Sequence, residues 1–115
     1  LLMLSEALNE QSYQANGIAF TYLNEVRERA NLPALTSTEL SNQNSIRETV
    51  LTERFLEFPF EGHRWFDLIR TKTAESEINA GIGISIQDYQ LLYPMPQAEI
   101  EKINNTTIFY QNEGY

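Results

Sequence analysis

The chain has 115 residues, 42% of them hydrophobic and 21% charged, which predicts one folded domain rather than a disordered chain. Its 16 acidic and 8 basic side chains give a formal net charge of -8, which argues against nucleic acid as a partner because basic side chains supply that affinity. The chain has no cysteine, which excludes disulfides and thiolate zinc sites.

Two amphipathic helices are predicted in the first third of the chain. Apolar side chains recur at helical spacing, first at Leu1, Leu4 and Leu8 and then at Ala19, Leu23, Val26 and Ala30. The first helix is predicted to end near Tyr13 and the second before Pro33, with the turn signal Asn16-Gly17 between them. Because the turn is short and neither helix can bury its stripe alone, we expect a helical hairpin that needs neighbours.

A loop rich in Ser, Thr and Asn is predicted from Leu32 to Asn44. Two capping boxes are possible, Thr36 with Glu39 and Ser45 with Glu48, and the second is the better placed start for a helix. The apolar face of that helix is predicted to consist of Ile46, Val50, Leu51, Phe55 and Phe58.

The rest of the chain gives weaker helix signals. The third helix is predicted to stop at Pro59, and a short helix is predicted over His63–Arg70. Alternating isoleucines in Ile82–Ile86 fit either a short strand or an extended loop. Pro96 is suited to the first turn of a one-turn helix, and residues 104–115 are expected to be irregular.

The densest group of polar residues runs from Glu53 to Arg70, where acids and bases alternate with aromatic side chains. Paired carboxylates, either Glu57 with Glu61 or Glu61 with Asp67, would be the acid and base of a hydrolase. His63 and Asp67 stand at i, i+4, as two metal ligands on one helix face would, but no second histidine and no cysteine supports a metal site.

A structural role for the same residues is favoured over both kinds of site. Asp67 lies three residues from both Arg64 and Arg70, a spacing that forms ion pairs on a helix. Trp65 is predicted to anchor the core, because its large ring lies on the apolar stripe and its N–H needs one acceptor.

Aromatic side chains in the last third could instead stack on sugar rings. The candidates are Tyr89, Tyr93, Phe109, Tyr110 and Tyr115. At least half of them are expected in the core, because this part of the chain has few other large side chains.

Five ordered segments give the chain a specific resemblance. They are SEALNE (Ser5–Glu10), YLNEVRERANLP (Tyr22–Pro33), IRETVLTERFLEFPFEGHRWFDLIR (Ile46–Arg70), YPMPQAEI (Tyr93–Ile100) and QNEGY (Gln111–Tyr115). Together they make the chain similar to the C-terminal part of SusD/RagB-family proteins, the glycan-binding lipoproteins of the bacterial outer membrane.

This resemblance implies an all-α fold, in which a tetratricopeptide-like helical hairpin is joined by further helices with long irregular loops. Residues 1–115 would form a single C-terminal region, and the apolar start of the chain without Met fits a fragment of a longer protein. The resemblance also makes the block from Glu53 to Arg70 part of the scaffold. It assigns no ligand-binding residue to this segment, because the family's ligand contacts come largely from upstream elements.

The function implied is non-enzymatic capture of glycans or other nutrients on the extracellular face of the bacterial outer membrane, with no cofactor. The partner would be a TonB-dependent outer-membrane transporter (SusC-like) that takes up the oligosaccharide. Contact with the membrane would come only through a lipid anchor outside this segment. Two alternatives are a glycoside hydrolase that uses carboxylates of the block from Glu53 to Asp67, and a helical-repeat scaffold that binds only protein.

Overall fold

The computed structural model describes residues 1–115 as six α-helices without strands. The helices are α1 (Leu2–Gln11), α2 (Ile18–Arg29), α3 (Gln43–Glu57), α4 (His63–Thr71), α5 (Ala74–Ile82) and α6 (Gln97–Ile103). The predicted all-α, tetratricopeptide-like fold is therefore confirmed. The chain divides into two compact units, Leu1–Arg64 and Trp65–Tyr115. A membrane crossing would need a longer and more apolar helix than any of these.

The core of the first unit is shared by α1, α2, α3 and the loop that precedes α3. The buried apolar cluster comprises Leu2, Phe20, Leu23, Val26, Leu40, Ile46 and Val50, with Tyr13, Leu35 and Phe58 packed against it. The Tyr13 hydroxyl donates a hydrogen bond to the Leu40 carbonyl at 2.8 Å. Ala19, Leu23 and Val26 of the predicted α2 stripe are thus buried, whereas Ala30 is exposed beyond the helix end and the unpredicted Phe20 is buried. Part of the predicted face of α3 is buried too, and the loop contributes to the core as well.

The buried face of α1 differs from the prediction, because Leu2, Ser5 and Asn9 are its buried residues. The Ser5 hydroxyl donates to the Ala19 carbonyl of α2 at 2.7 Å, and the Asn9 amide donates to the Gln43 carbonyl of α3 at 2.9 Å. Backbone acceptors on two neighbouring helices therefore pair with the Ser5 hydroxyl and the Asn9 N–H, which hydrophobic periodicity alone would place outside, while Asn9 Oδ1 is buried without a partner in the chain. The prediction that Leu1, Leu4 and Leu8 form the buried stripe is wrong.

Helix α3 begins two residues earlier than its predicted cap. The Asn42 side chain accepts from the Ser45 N–H at 3.0 Å, and the Ser45 hydroxyl accepts from the Asn42 N–H at 3.2 Å. Asn42 is therefore the N-cap, while Ser45 occupies the third helical position instead of capping with Glu48. At the other possible box, the Glu39 carboxylate accepts from the Thr36 N–H at 2.9 Å, but only a turn follows.

The chain after Gly62 confirms two predicted helices and corrects one segment. Helix α4 ends one residue beyond the prediction. Helix α6 was predicted as one turn starting at Pro96, but it has seven residues and Pro96 is its N-cap. Helix α5 was not predicted. Of the two alternatives for Ile82–Ile86, the strand is wrong and the loop is confirmed from Gly83 onward, while Ile82 is the last residue of α5. Gly83 ends this helix in the left-handed conformation at φ +70°, so a glycine that resembles a helix breaker is in fact its C-terminal cap.

Candidate functional site

The first carboxylate of the block from Glu53 to Arg70 connects two helices. Glu53 of α3 forms an ion pair with Arg27 of α2, and the side chains are only 7% and 14% exposed. The Arg27 Nε–H also donates to the Pro33 carbonyl at 3.1 Å. A buried carboxylate paired with an arginine of the neighbouring helix fixes how the two helices pack, which is a structural role.

The remaining carboxylates of the block each lie beside a basic side chain. Glu57 pairs with Arg29 of α2, and buried Asp67 accepts from Arg70 at 2.8 Å, as the i, i+3 spacing predicted. These contacts are those of a scaffold, whereas a glycosidase places two carboxylates on opposite sides of one scissile bond.

His63 lies among aromatic and acidic neighbours. Its Nε2 is 3.6 Å from a Glu61 oxygen, and its ring meets the Phe58 ring edge-on at 5.4 Å. Across the chain, no group of three or more His, Cys, Asp and Glu side chains is arranged to hold a metal ion. The pair of His63 and Asp67 considered as metal ligands thus lacks the further protein ligands that zinc sites use.

Trp65 is partly buried and lies outside the buried apolar cluster. Its indole Nε1 is buried without a hydrogen-bond partner within the chain. The prediction that Trp65 anchors the core is therefore wrong.

The aromatic side chains of the last third are largely exposed. Tyr93 and Tyr110 are 68% and 67% exposed, and Tyr89 and Tyr115 are also exposed, which leaves only Phe109 partly buried among the five candidates. The expectation that at least half of them belong to the core is wrong. We call Tyr89, Tyr93, Tyr110 and Tyr115 the tyrosine surface.

Polar side chains of the last five residues form hydrogen bonds with the backbone of the segment that carries Tyr93. Gln111 accepts from the Met95 N–H at 2.6 Å and donates to the Met95 carbonyl at 2.9 Å. The Asn112 amide donates to the Tyr93 carbonyl at 2.7 Å, and the Tyr115 hydroxyl donates to the Leu92 carbonyl at 2.8 Å. We call this set of hydrogen bonds the C-terminal clamp.

Gly114 allows the C-terminal clamp to close against the tyrosine surface. Its φ is +96°, and a Cβ at this position would lie 2.4 Å from Cγ of Tyr89. The Tyr89 and Tyr115 rings meet edge-on at 5.3 Å. Side chains of the QNEGY segment thus hold the backbone of the YPMPQAEI segment, while Gly114 and Tyr115 contact Tyr89 just before it. Both segments stand out in the sequence, but their contact was not predicted, although two amides beside a glycine and a tyrosine were its signal.

Charged groups with shifted pKa values lie in the first unit. A hydrogen bond from Arg47 of α3 holds the pKa of Glu10 below its ordinary value of 4.5. Hydrogen bonds from Thr36 likewise lower the pKa of Glu39. The Glu10 pair connects α1 to α3, and the Glu39 contacts stabilise a loop turn.

Comparisons with known proteins give one consistent family. The model of the SusD family matches residues 1–115. SusD-like protein P2 of Formosa agariphila is 34% identical over 127 residues, which cover 100% of this chain and 24% of that protein. SusD-like protein P25 of the same organism is 45% identical over 71 residues, which cover 60% of this chain and 13% of that protein.

A solved structure is similar in both fold and sequence. Surface glycan-binding protein A from Bacteroides thetaiotaomicron matches 97% of this chain with a TM-score of 0.77 and 31% identity. The match covers 22% of that protein. The chain thus spans about a quarter or less of the length of these relatives.

Proposed function

The chain belongs to the SusD family, and from this premise we propose that it is the C-terminal part of a cell-surface protein that binds glycan without transforming it. The observation that carries the proposal is the likeness of nearly the whole chain to a solved surface glycan-binding protein. Because the chain spans only part of its relatives, the function is proposed for the longer protein.

Within residues 1–115, the tyrosine surface is our candidate for direct contact with sugar. Exposed aromatic rings offer a flat apolar face to a sugar ring and a hydroxyl for hydrogen bonding. The C-terminal clamp fixes the backbone at Tyr93 before any ligand arrives, which lowers the entropic cost of binding. The burial of Glu53 and Asp67 and the ion pairs of the block from Glu53 to Arg70 support a scaffold role for it.

The longer protein is further proposed to be lipid-anchored on the extracellular face of the bacterial outer membrane. There it would pass an oligosaccharide to a TonB-dependent transporter. The family membership supports this assignment, and the acidic balance of the chain fits a partner other than nucleic acid.

Glycan binding is tested on the full-length protein with a glycan array, followed by titration calorimetry on the best ligand. We expect Tyr93→Ala and Tyr110→Ala each to weaken binding by up to about tenfold, the value of one aromatic contact. Tyr93→Phe keeps the ring and should retain most of the affinity. Ile108→Ala is a matched control, because Ile108 is an exposed aliphatic residue of the same unit.

The outcomes separate the two parts of the proposal. A full-length protein that binds no glycan would contradict the function itself and would favour a protein-binding scaffold. Binding that tolerates both alanine variants would remove the tyrosine surface as the contact and leave the function standing. Purification from the native membrane without a TonB-dependent partner would contradict the role in uptake.

A glycoside hydrolase is the alternative from another class. It predicts turnover of polysaccharide that disappears in Glu61→Gln and Asp67→Asn while the fold remains intact. The arginine partners of Glu53, Glu57 and Asp67 argue against it.

A further inference from the structure

The connection between α1 and α2 contains the only Asn-Gly pair of residues 1–115, Asn16-Gly17. Asn16 has a φ of +54°, in the left-handed region that asparagine adopts more easily than most residues. The Gly17 N–H donates to the Gln14 carbonyl at 3.0 Å, which closes a β-turn, and Gly17 is the N-cap of α2. Asn16 is exposed, so water reaches its side chain.

An exposed Asn-Gly pair can modify itself without an enzyme. The glycine backbone nitrogen attacks Cγ of the asparagine side chain, so an N–Cγ bond forms and the Cγ–Nδ2 bond breaks. The side-chain amide leaves as ammonia, which takes the proton of the glycine N–H. Water then opens the cyclic imide at either carbonyl and leaves aspartate or isoaspartate, the latter with one more methylene in the backbone. Glycine allows the attack because it has no Cβ to block the approach.

Ser37, in the loop before α3, binds both polar atoms of the Asn16 side chain. The Asn16 Nδ2–H donates to the Ser37 hydroxyl at 3.0 Å, and the Ser37 N–H donates to Asn16 Oδ1 at 2.7 Å. The Gly17 N–H, which must lose its proton in the attack, is bound to the Gln14 carbonyl. The leaving amide and the attacking nitrogen must therefore both give up hydrogen bonds that the folded chain supplies.

We propose that Asn16 is a deamidation site that its two hydrogen bonds to Ser37 keep closed, and that the reaction proceeds when this contact opens. Contacts of exposed turns open locally far more often than the whole fold does. Each opening gives Asn16 a chance to react irreversibly, so the modified fraction grows with the age of the protein. The inference is independent of which ligand the longer protein binds.

The modification would weaken the attachment of the loop before α3 to the α1–α2 connection. The Asn16–Ser37 contact is one attachment, and the hydrogen bond from the Tyr13 hydroxyl to the Leu40 carbonyl is another. A carboxylate accepts hydrogen bonds but donates none to the Ser37 oxygen, and isoaspartate also lengthens the turn. Because the Tyr13 contact remains, we expect the loop to loosen while the core of the first unit stays folded.

One contact of Ser37 also has an opposite effect. Its N–H polarises the Cγ–Oδ1 bond of Asn16, which by itself would favour attack on Cγ. Attack makes Cγ tetrahedral, however, and the hydrogen bonds at both Nδ2 and Oδ1 hold the amide in its planar arrangement. The two bonds together therefore favour protection, and the rate of deamidation in Ser37 variants distinguishes the two effects.

Mass spectrometry of the full-length protein tests the inference by following deamidation of the peptide that contains Asn16 during incubation in mildly alkaline buffer. Ser37→Pro removes both the N–H and the hydroxyl, and proline suits this position because Ser37 is the second residue of the turn from Thr36 to Glu39. Ser37→Ala removes only the hydroxyl. Thr38→Ala is the matched control, because Thr38 is an exposed residue of the same turn and its replacement leaves Ser37 in place.

We expect deamidation in Ser37→Pro to be at least about tenfold faster than in wild type, because loss of both hydrogen bonds raises the open fraction. Ser37→Ala should lie between the two, and Thr38→Ala should match wild type. Incubation in guanidinium chloride gives the rate of the open chain, and there all four proteins should react equally fast.

Three results would overturn the inference. The first is a wild-type rate in buffer equal to that in guanidinium chloride, and the second is equal rates for wild type and both Ser37 variants in buffer. The third is slower deamidation in the Ser37 variants, which would show that Ser37 assists the attack. If Ser37→Pro fails to fold, which circular dichroism would reveal, Ser37→Ala keeps the test decisive.

Discussion

Replacement of Glu53 by Gln tests whether the buried ion pair between α2 and α3 holds the first unit together. The substitution keeps the size of the side chain but removes the charge that faces Arg27. We expect the free energy of unfolding to fall by about 3 kcal/mol, the lower end of the range for breaking one side of a buried pair.

The magnitude follows from burial and from the bonds that remain. Because Glu53 is 7% exposed and Arg27 is 14% exposed, water cannot readily replace the lost carboxylate. A hydrogen bond between charged groups contributes about 1.5–3 kcal/mol, and a buried arginine without its counter-ion adds a desolvation cost. Arg27 still donates to the Pro33 carbonyl, which keeps the expected loss from rising further.

The assay is urea denaturation of the protein followed by far-ultraviolet circular dichroism at neutral pH. Glu57→Gln is the matched control, because Glu57 and Arg29 connect the same two helices while Arg29 is 66% exposed. Water and salt screen such a pair, so little change is expected there. The reasoning is refuted if Glu53→Gln lowers the free energy of unfolding by less than about 1 kcal/mol, or by no more than Glu57→Gln does. Burial would then not make the Arg27–Glu53 pair more stabilising than an exposed pair.

Three other substitutions test separate parts of the structure. Leu23→Ala should lower the free energy of unfolding by about 3 kcal/mol, because Leu23 is fully buried, and a urea midpoint equal to wild type would contradict the core assignment. Gly114→Ala should speed hydrogen exchange at the C-terminal clamp, because its Cβ would collide with the Tyr89 ring at a positive φ, and unchanged exchange would refute that collision. A hydrogen bond from Arg47 lowers the pKa of Glu10. The pair therefore stabilises the fold fully at pH values above 4.5, the ordinary pKa, and this stabilisation is lost as the pH falls through the lowered pKa. Glu10→Gln should therefore lower the urea midpoint at pH 7 but not at about pH 2, whereas an equal loss at both would exclude the ion pair as its cause.

Local sequence signals predicted the parts of the fold that depend on local physics. The stripe of α2 recurs at helical spacing and is bounded by a glycine and a proline, so the helix and three residues of its buried face, Ala19, Leu23 and Val26, were predictable. The short α4 was predicted to within one residue for the same reason. The start of α3 was missed because Asn42 and Ser45 cap each other, and only the backbone geometry decides which of them is the N-cap.

The candidate site was less predictable, because its features join distant parts of the chain. The exposed state of Tyr93 and Tyr110 depends on what packs beside them, and composition alone favoured burial. The C-terminal clamp joins Gln111 to Met95 through backbone groups that any residue could offer. Such contacts are hard to predict from one sequence, because the only local signal is a pair of amide side chains close to a glycine.

The sequence by itself determined the family, the all-α class and the helical hairpin, because ordered motifs and apolar periodicity are properties of the chain. It also determined that α1 is apolar along Leu1, Leu4 and Leu8. Only the tertiary structure decided which way that stripe faces. Hydrophobic periodicity depends only on the order of apolar side chains along the chain. It holds no information about the carbonyl acceptors on α2 and α3 to which Ser5 and Asn9 donate hydrogen bonds. Those acceptors allow this face to be buried, and Leu1 and Leu4 face outward as a result.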